Sequence, residues 1–88
     1  MKPKEGFVLR EVGGTAMVLA TGAACLDFNG MITLNESGVV LWKRLLLGAT
    51  EQELVDALRS EYDVDEKTAK TDIEAFLSVM RKNQLLDE

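Results

Sequence analysis

The stretch GMITLNESGVVLW, residues 30–42, passes from a strand pattern into a helix pattern with no loop between the two. GMITL favours extended backbone. Asn35 is a good helix N-cap, because its short side chain can accept from an amide of the first turn. Glu36 behind it suits the positive end of the helix dipole. Val39, Trp42, Leu45 and Leu46 then line one helical face, and Gly48 supplies a stop. Such a junction fixes the direction of a strand relative to the helix that follows. It restricts the chain to folds in which a sheet edge and a helix are joined rigidly, with Trp42 and Leu46 pinning that helix to the core.

Upstream, FVLREV (residues 7–12) and TAMVLA (residues 15–20) flank Gly13-Gly14. Two glycines between β-favouring runs predict a two-residue hairpin turn, which needs positive φ at both positions. Pairing across it sets Val12 opposite Thr15, Arg10 opposite Met17 and Val8 opposite Leu19. Phe7, Leu9, Ala16, Val18 and Ala20 then share the face expected to meet the core. Val8, Met17 and Leu19 leave some apolar surface on the other face. TGAACLDFN, residues 21–29, reads as an irregular connection with a turn at Asp27 to Gly30. A third strand follows at residues 30–34, short and with an exposed edge.

Downstream the pattern is helical. Thr50-Glu-Gln-Glu53 is a capping box, and Leu54, Leu58 and Tyr62 carry the stripe of a second helix. Asp65 caps a third helix with Ala69, Ile73, Phe76, Leu77 and Met80 on its inner side, and Leu85-Leu86 close on the core. The expected fold class is α+β: a three-stranded antiparallel sheet followed by three helices. Residues 7–88 form the single domain, and residues 1–6 form a flexible N-terminus.

Composition narrows the chemistry. Eighty-eight residues, 47% hydrophobic, support one modest core and little room for an enclosed active site. Ten basic against 15 acidic residues give a net charge of -5, which argues against a nucleic-acid partner. There is no histidine and Cys25 is the one cysteine, so neither a histidine-based triad nor an intrachain disulfide can form. That usage suits a reducing cytoplasm. No secretory signal and no apolar run of roughly 18 residues is visible, so no membrane association is expected. The carboxylates fall at caps and solvated helix faces, and neither Gly13-Gly14 nor Gly38 has phosphate-loop spacing. The sequence therefore points to a protein that is not an enzyme and carries no cofactor or metal.

What remains is surface. An exposed strand edge presents unpaired amide and carbonyl groups. The outer flank of the third helix offers Ala75 and Val79 beside the core positions Phe76 and Met80, with Asp72 and Asn83 along the same strip. Together they would form a groove suited to strand addition by a peptide. The same residues also fit a plain structural reading, in which Val79 and Met80 are core and the edge is blunted by its shortness.

Leu34-Asn35, Gly38, Leu41-Trp42, the segment Tyr62-Asp63-Val64 and the Asp-x-x-x-Phe-Leu pattern from Asp72 to Leu77 recur together in one family. In this order and spacing the chain, from Phe7 to Leu86, resembles the small proteins related to pyrroloquinoline quinone synthesis protein D. TGAACLDFN departs from the quinone-cofactor members. The resemblance implies a winged-helix-like domain that recognises precursors of ribosomally made natural products. Such domains act as peptide chaperones that hold the leader segment and present it to a maturation enzyme, often a radical S-adenosylmethionine protein. Carried onto this chain, the resemblance implies a leader strand beside Gly30, Met31, Ile32 and Thr33, resting on Asp72, Ala75, Phe76 and Val79. A proline at Ile32 tests this if the Ile32 N–H faces outward; otherwise Thr33 or Met31 is the position to change.

Two further readings compete. A winged-helix DNA-binding regulator needs a basic outward stripe, and Lys67, Lys70, Arg81 and Lys82 on the third helix are interrupted by Glu66, Asp72 and Glu74. In a structural or dimerising domain, the free edge pairs with a second copy of the chain as a homodimer.

Overall fold

The computed structural model describes residues 1–22 and 31–88. Among these residues, five strands and three helices follow in order: β1 (Lys2–Pro3), β2 (Phe7–Val12), β3 (Thr15–Ala20), β4 (Met31–Leu34), α1 (Glu36–Leu45), α2 (Glu51–Glu61), α3 (Glu66–Lys82) and β5 (Leu86–Asp87). The fold is α+β, with the antiparallel sheet β2-β3-β4 preceding the three helices. Most of the connection expected at 21–29, with Cys25 and the turn at Asp27, lies outside the described residues, as does Gly30.

The hairpin forms in the register that the sequence predicts. Val12 faces Thr15, Arg10 faces Met17 and Val8 faces Leu19. Gly13 and Gly14 sit at φ +59° and +81°, the left-handed region that the tight turn requires. β3 then pairs with β4, setting Val18 against Ile32 and Ala16 against Leu34. These pairs lie on the inner face. Val18 and Leu34 are buried there, with Phe7, Leu9, Ala16 and Ile32 packed around them.

Each helix starts where a capping side chain tells it to. Asn35 Oδ1 accepts from the Gly38 N–H at 2.8 Å and from the Ser37 hydroxyl at 3.0 Å. At α2, Thr50 Oγ1 accepts from the Glu53 N–H at 3.2 Å, and Glu53 returns the bond by accepting from the Thr50 N–H at 3.0 Å. Asp65 accepts from the Thr68 N–H at 2.7 Å. The connection from α1 to α2 is clamped by Arg44, which donates to the Gly48 carbonyl at 2.6 Å and to the Glu53 carboxylate at 2.7 Å.

These contacts give the caps an acid sensitivity. The Glu53 carboxyl is held below its ordinary range, first by the Thr50 amide and further by the Arg44 charge. Asp65 is lowered likewise by its bonds to Thr68. A depressed carboxyl stabilises the fold above its unfolded value and loses that contribution as pH falls through its folded value. Thr50→Ala should cost about 1 kcal/mol in urea denaturation at neutral pH. Both proteins should weaken further when acidified below the ordinary carboxylate range.

The core is helical at its centre. Leu41, Trp42 and Leu45 of α1, Leu54, Val55 and Leu58 of α2, and Ala69, Ile73, Leu77 and Met80 of α3 are buried, closed from below by Leu85 and Leu86. One expectation about α1 and one about the N-terminus need correction. Leu46 does not pin the helix, being 51% exposed, and Leu41 is buried in its place. The apolar run VVLWKRLLL leaves the helical phase ambiguous in sequence, and the sheet selects the face through Leu41, Trp42 and Leu45. Residues 1–6, read as a flexible lead-in, instead carry β1, paired with β5. Met1 adds a reciprocal bridge to Ala49, with 2.8 Å and 2.9 Å bonds in the two directions.

Candidate functional site

β4 is an edge strand. Its partner β3 lies on one side, and no described element pairs with it on the other. Which of its groups face outward follows from ladder parity. A two-residue hairpin makes its flanking residues a hydrogen-bonded pair, and such pairs alternate along the strands. Thr15, Met17 and Leu19 of β3 therefore turn their amides toward β2, a parity continued by the Thr21 N–H donating to the Gly6 carbonyl at 2.6 Å. Ala16 and Val18 turn toward β4, so their partners Leu34 and Ile32 use their N–H and C=O groups inward. Met31 and Thr33 are left to present theirs at the open edge.

Beside this edge lies a cleft of about 570 Å³ between β4 and α3. Its floor is apolar and buried: Leu34, Gly38, Leu41 and Met80. Ile32 and Thr33 form the strand wall, and Ala75, Phe76 and Val79 form the helix wall. Phe76 is half-buried and Val79 is 44% exposed, so the helix wall offers apolar area that the core does not consume. Asn35 and Ser37 close one end, and Asp72 brings the lining's one charge.

The cap geometry explains the floor. Gly38 follows the Asn35 cap by three residues, and a Cβ there would stand 3.2 Å from both Asn35 Oδ1 and Leu34 Cβ. A residue without a side chain lets α1 start directly against the end of β4. The small residue in the Leu-Asn, small, Leu-Trp pattern thus has a steric reason.

Six of the residues singled out from sequence line this cleft: Ile32, Thr33, Asp72, Ala75, Phe76 and Val79. Met31 lies at the edge, 58% exposed, outside the cleft lining, and Gly30 falls outside the described residues. Sequence reasoning missed the floor residues Leu34, Gly38 and Leu41 as lining, and it assigned Met80 to the core alone. The signal available was the Leu34-to-Leu41 junction itself, which places all three at one end of the edge strand.

The basic residues of α3 do not gather here. Arg81 is bound by the Glu88 carboxylate at 2.8 Å, and Lys67, Lys70 and Lys82 are absent from the cleft lining. Among the described residues, no helix is long and apolar enough to cross a membrane, and no group of three or more acidic, cysteine or histidine side chains is placed to hold a metal ion.

Fold and site together define a small α+β domain with an open strand edge beside an apolar cleft. The sequence matches the family of coenzyme PQQ synthesis protein D (PqqD) over residues 5–86, and the chain belongs to that family. Among solved structures it is similar to TbiB1 in complex with the TbiA(beta) leader peptide, with a TM-score of 0.77 and 26% identity, covering 99% of this chain and 95% of that one. It also shares its fold with lasso peptide synthetase B1 complexed with the leader peptide, with a TM-score of 0.73 and 21% identity, covering 96% and 93% of the two chains. No curated protein matched the sequence.

Proposed function

We propose that the protein is a peptide chaperone, without catalytic activity of its own, for the leader segment of a ribosomally synthesised precursor. The leader adds as a strand along β4 and lays side chains into the cleft against α3. The observation that carries this reading is the edge at Met31 and Thr33, which no described element pairs, standing beside accessible apolar helix surface at the half-buried Phe76 and the exposed Val79. Backbone bonds along the edge supply affinity, and the cleft supplies choice of side chain. Family membership and the leader-bound state of TbiB1 support it.

The Asn35 junction gives the edge its value. A strand fixed to a capped helix, over a floor built by Leu34 and Leu41, is preorganised, so less ordering entropy is lost on binding. Residues 7–88 act as one recognition domain. The complex is presented in the cytoplasm to a maturation enzyme, a radical S-adenosylmethionine protein or another modifying enzyme. In the absence of leader, the same edge is available to a second copy of the chain. The DNA-binding alternative lacks support, since neither cleft nor edge carries a basic side chain.

The direct test is titration of candidate leader peptides into isotopically labelled protein. Amide shifts are expected at residues 31–34 and 72–79, with the β2 amides little moved. Shifts confined to other surfaces would reject strand addition at this edge.

A further inference from the structure

A second depression, of about 380 Å³, continues the cleft past the end of β4. The two share Asn35, Ser37 and Asp72, so Asp72 stands on the ridge between them. The second depression is lined by the half-buried Tyr62 and Val64 over the buried Leu58, together with Glu36. A third depression adjoins through Asn35, Glu36 and Tyr62, and its remaining ionisable side chain is Glu11. Every charged residue lining these three depressions is a carboxylate; Arg59 lines a neighbouring one that shares Tyr62 and Val64, where it donates to the Val64 carbonyl at 3.3 Å.

Asp72 also breaks a local rule. It is the seventh residue of the 17-residue α3, well past the first turn where an acidic side chain serves the helix dipole. Aspartate is a poor helix former at such a position. Its helical neighbours three and four residues away are Thr68, Ala69, Ala75 and Phe76, none of which is a cation. No hydrogen bond or ion pair to its carboxylate occurs among the described residues. A charge that does nothing for its own helix, standing on the ridge of a binding cleft, is placed for something outside the chain.

Resting on the leader-binding reading, we infer that the second depression is a specificity subsite for a lysine or arginine side chain of the bound peptide. An apolar stem fits against the half-buried Val64, a cation fits over the Tyr62 ring, and Glu36 and Asp72 supply the opposite charge. Lys and Arg combine that stem and that charge; a carboxylate would meet like charge from both sides. The subsite lies beyond the C-terminal end of β4. On an antiparallel added strand, the more stable ladder, the basic residue therefore sits on the N-terminal side of the paired segment.

The test is a selection of random 15-residue displayed peptides on the full chain, with one enriched peptide then synthesised. Binders are expected to carry one Lys or Arg just N-terminal to an alternating apolar segment. Changing that residue to Gln should weaken binding about fivefold to tenfold, and less than twofold in the Asp72→Ala variant, a coupling read from the double-mutant cycle. Asp72→Ala itself should melt no lower than the wild type. Binders that shift residues 31–34 yet are indifferent to this charge overturn the subsite and leave strand addition standing. Binders that leave residues 31–34 unmoved, or no binders at all, overturn both. A clear loss of stability in Asp72→Ala assigns the carboxylate a structural role and likewise overturns the subsite.

Discussion

Trp42→Ala is expected to remove most of the protein's stability at ambient temperature and bring it to the edge of unfolding. Trp42 is fully buried at the centre of the core, between Leu41 and Leu45 of its own helix. Truncating a buried tryptophan costs about 3–5 kcal/mol, out of a total that for single domains is about 5–15 kcal/mol. An 88-residue chain sits toward the low end of that range. Trp42→Phe should be much milder. The indole N–H is buried with no hydrogen-bond partner among the described residues. An unsatisfied buried donor costs about 1–3 kcal/mol, and phenylalanine removes it. That gain offsets part of the volume lost, so the net loss should stay below about 2 kcal/mol. Because this is the one tryptophan, tryptophan fluorescence vanishes in both variants, and urea denaturation should be followed by far-ultraviolet circular dichroism. An alanine variant with a wild-type midpoint would mean that α1 is not anchored through Trp42.

What could be read in advance divides along physical lines. Local signals were complete: Gly13-Gly14 fixed the hairpin register, and Asn35, Thr50 and Asp65 marked three helix starts, because turns and caps are set by residues within one turn of each other. Register then propagates. The hairpin turn sets the amide directions of β3 by counting, but the outward direction of the Thr33 amide also needs the β3–β4 register, which only the structure supplies. Long-range facts were not legible in this way. Nothing in MKPKEG announces pairing with Leu86-Asp87, since the two strands are two residues each and carry no periodicity. The choice of Leu41 over Leu46 needs the sheet's position. The second depression needs Tyr62 and Val64, at the end of α2 and just beyond it, to come beside Asp72 of α3 and Glu36 of α1, a meeting of three helices that no spacing encodes. Hence the helix wall of the cleft was readable as a strip at helical spacing, while its floor, built across the strand-helix junction, was not.

Thr33→Pro is expected to abolish most peptide binding while leaving the fold intact. Thr33 and Met17 form a non-hydrogen-bonded pair, so the Thr33 N–H contributes nothing to the β3–β4 ladder. Proline is tolerated at an edge position of this kind, and it restricts the preceding Ile32 to the extended backbone that Ile32 already has. Toward an incoming strand the effect is opposite. The edge loses its donor at that site, and the ring occupies the line along which the peptide carbonyl would approach. A carbonyl left unsatisfied in the complex costs about 1–3 kcal/mol, which converts to about fivefold to 150-fold in affinity. Ile32→Pro gives the contrast. Its N–H points inward to Val18, so that variant should lose stability by breaking the ladder, and its binding loss would report unfolding. Thermal melting separates the two, with Thr33→Pro close to the wild type and Ile32→Pro well below it. If Thr33→Pro melts normally and still binds leader peptide at wild-type affinity, the peptide does not add to β4, and the apolar cleft must then hold it through side chains alone.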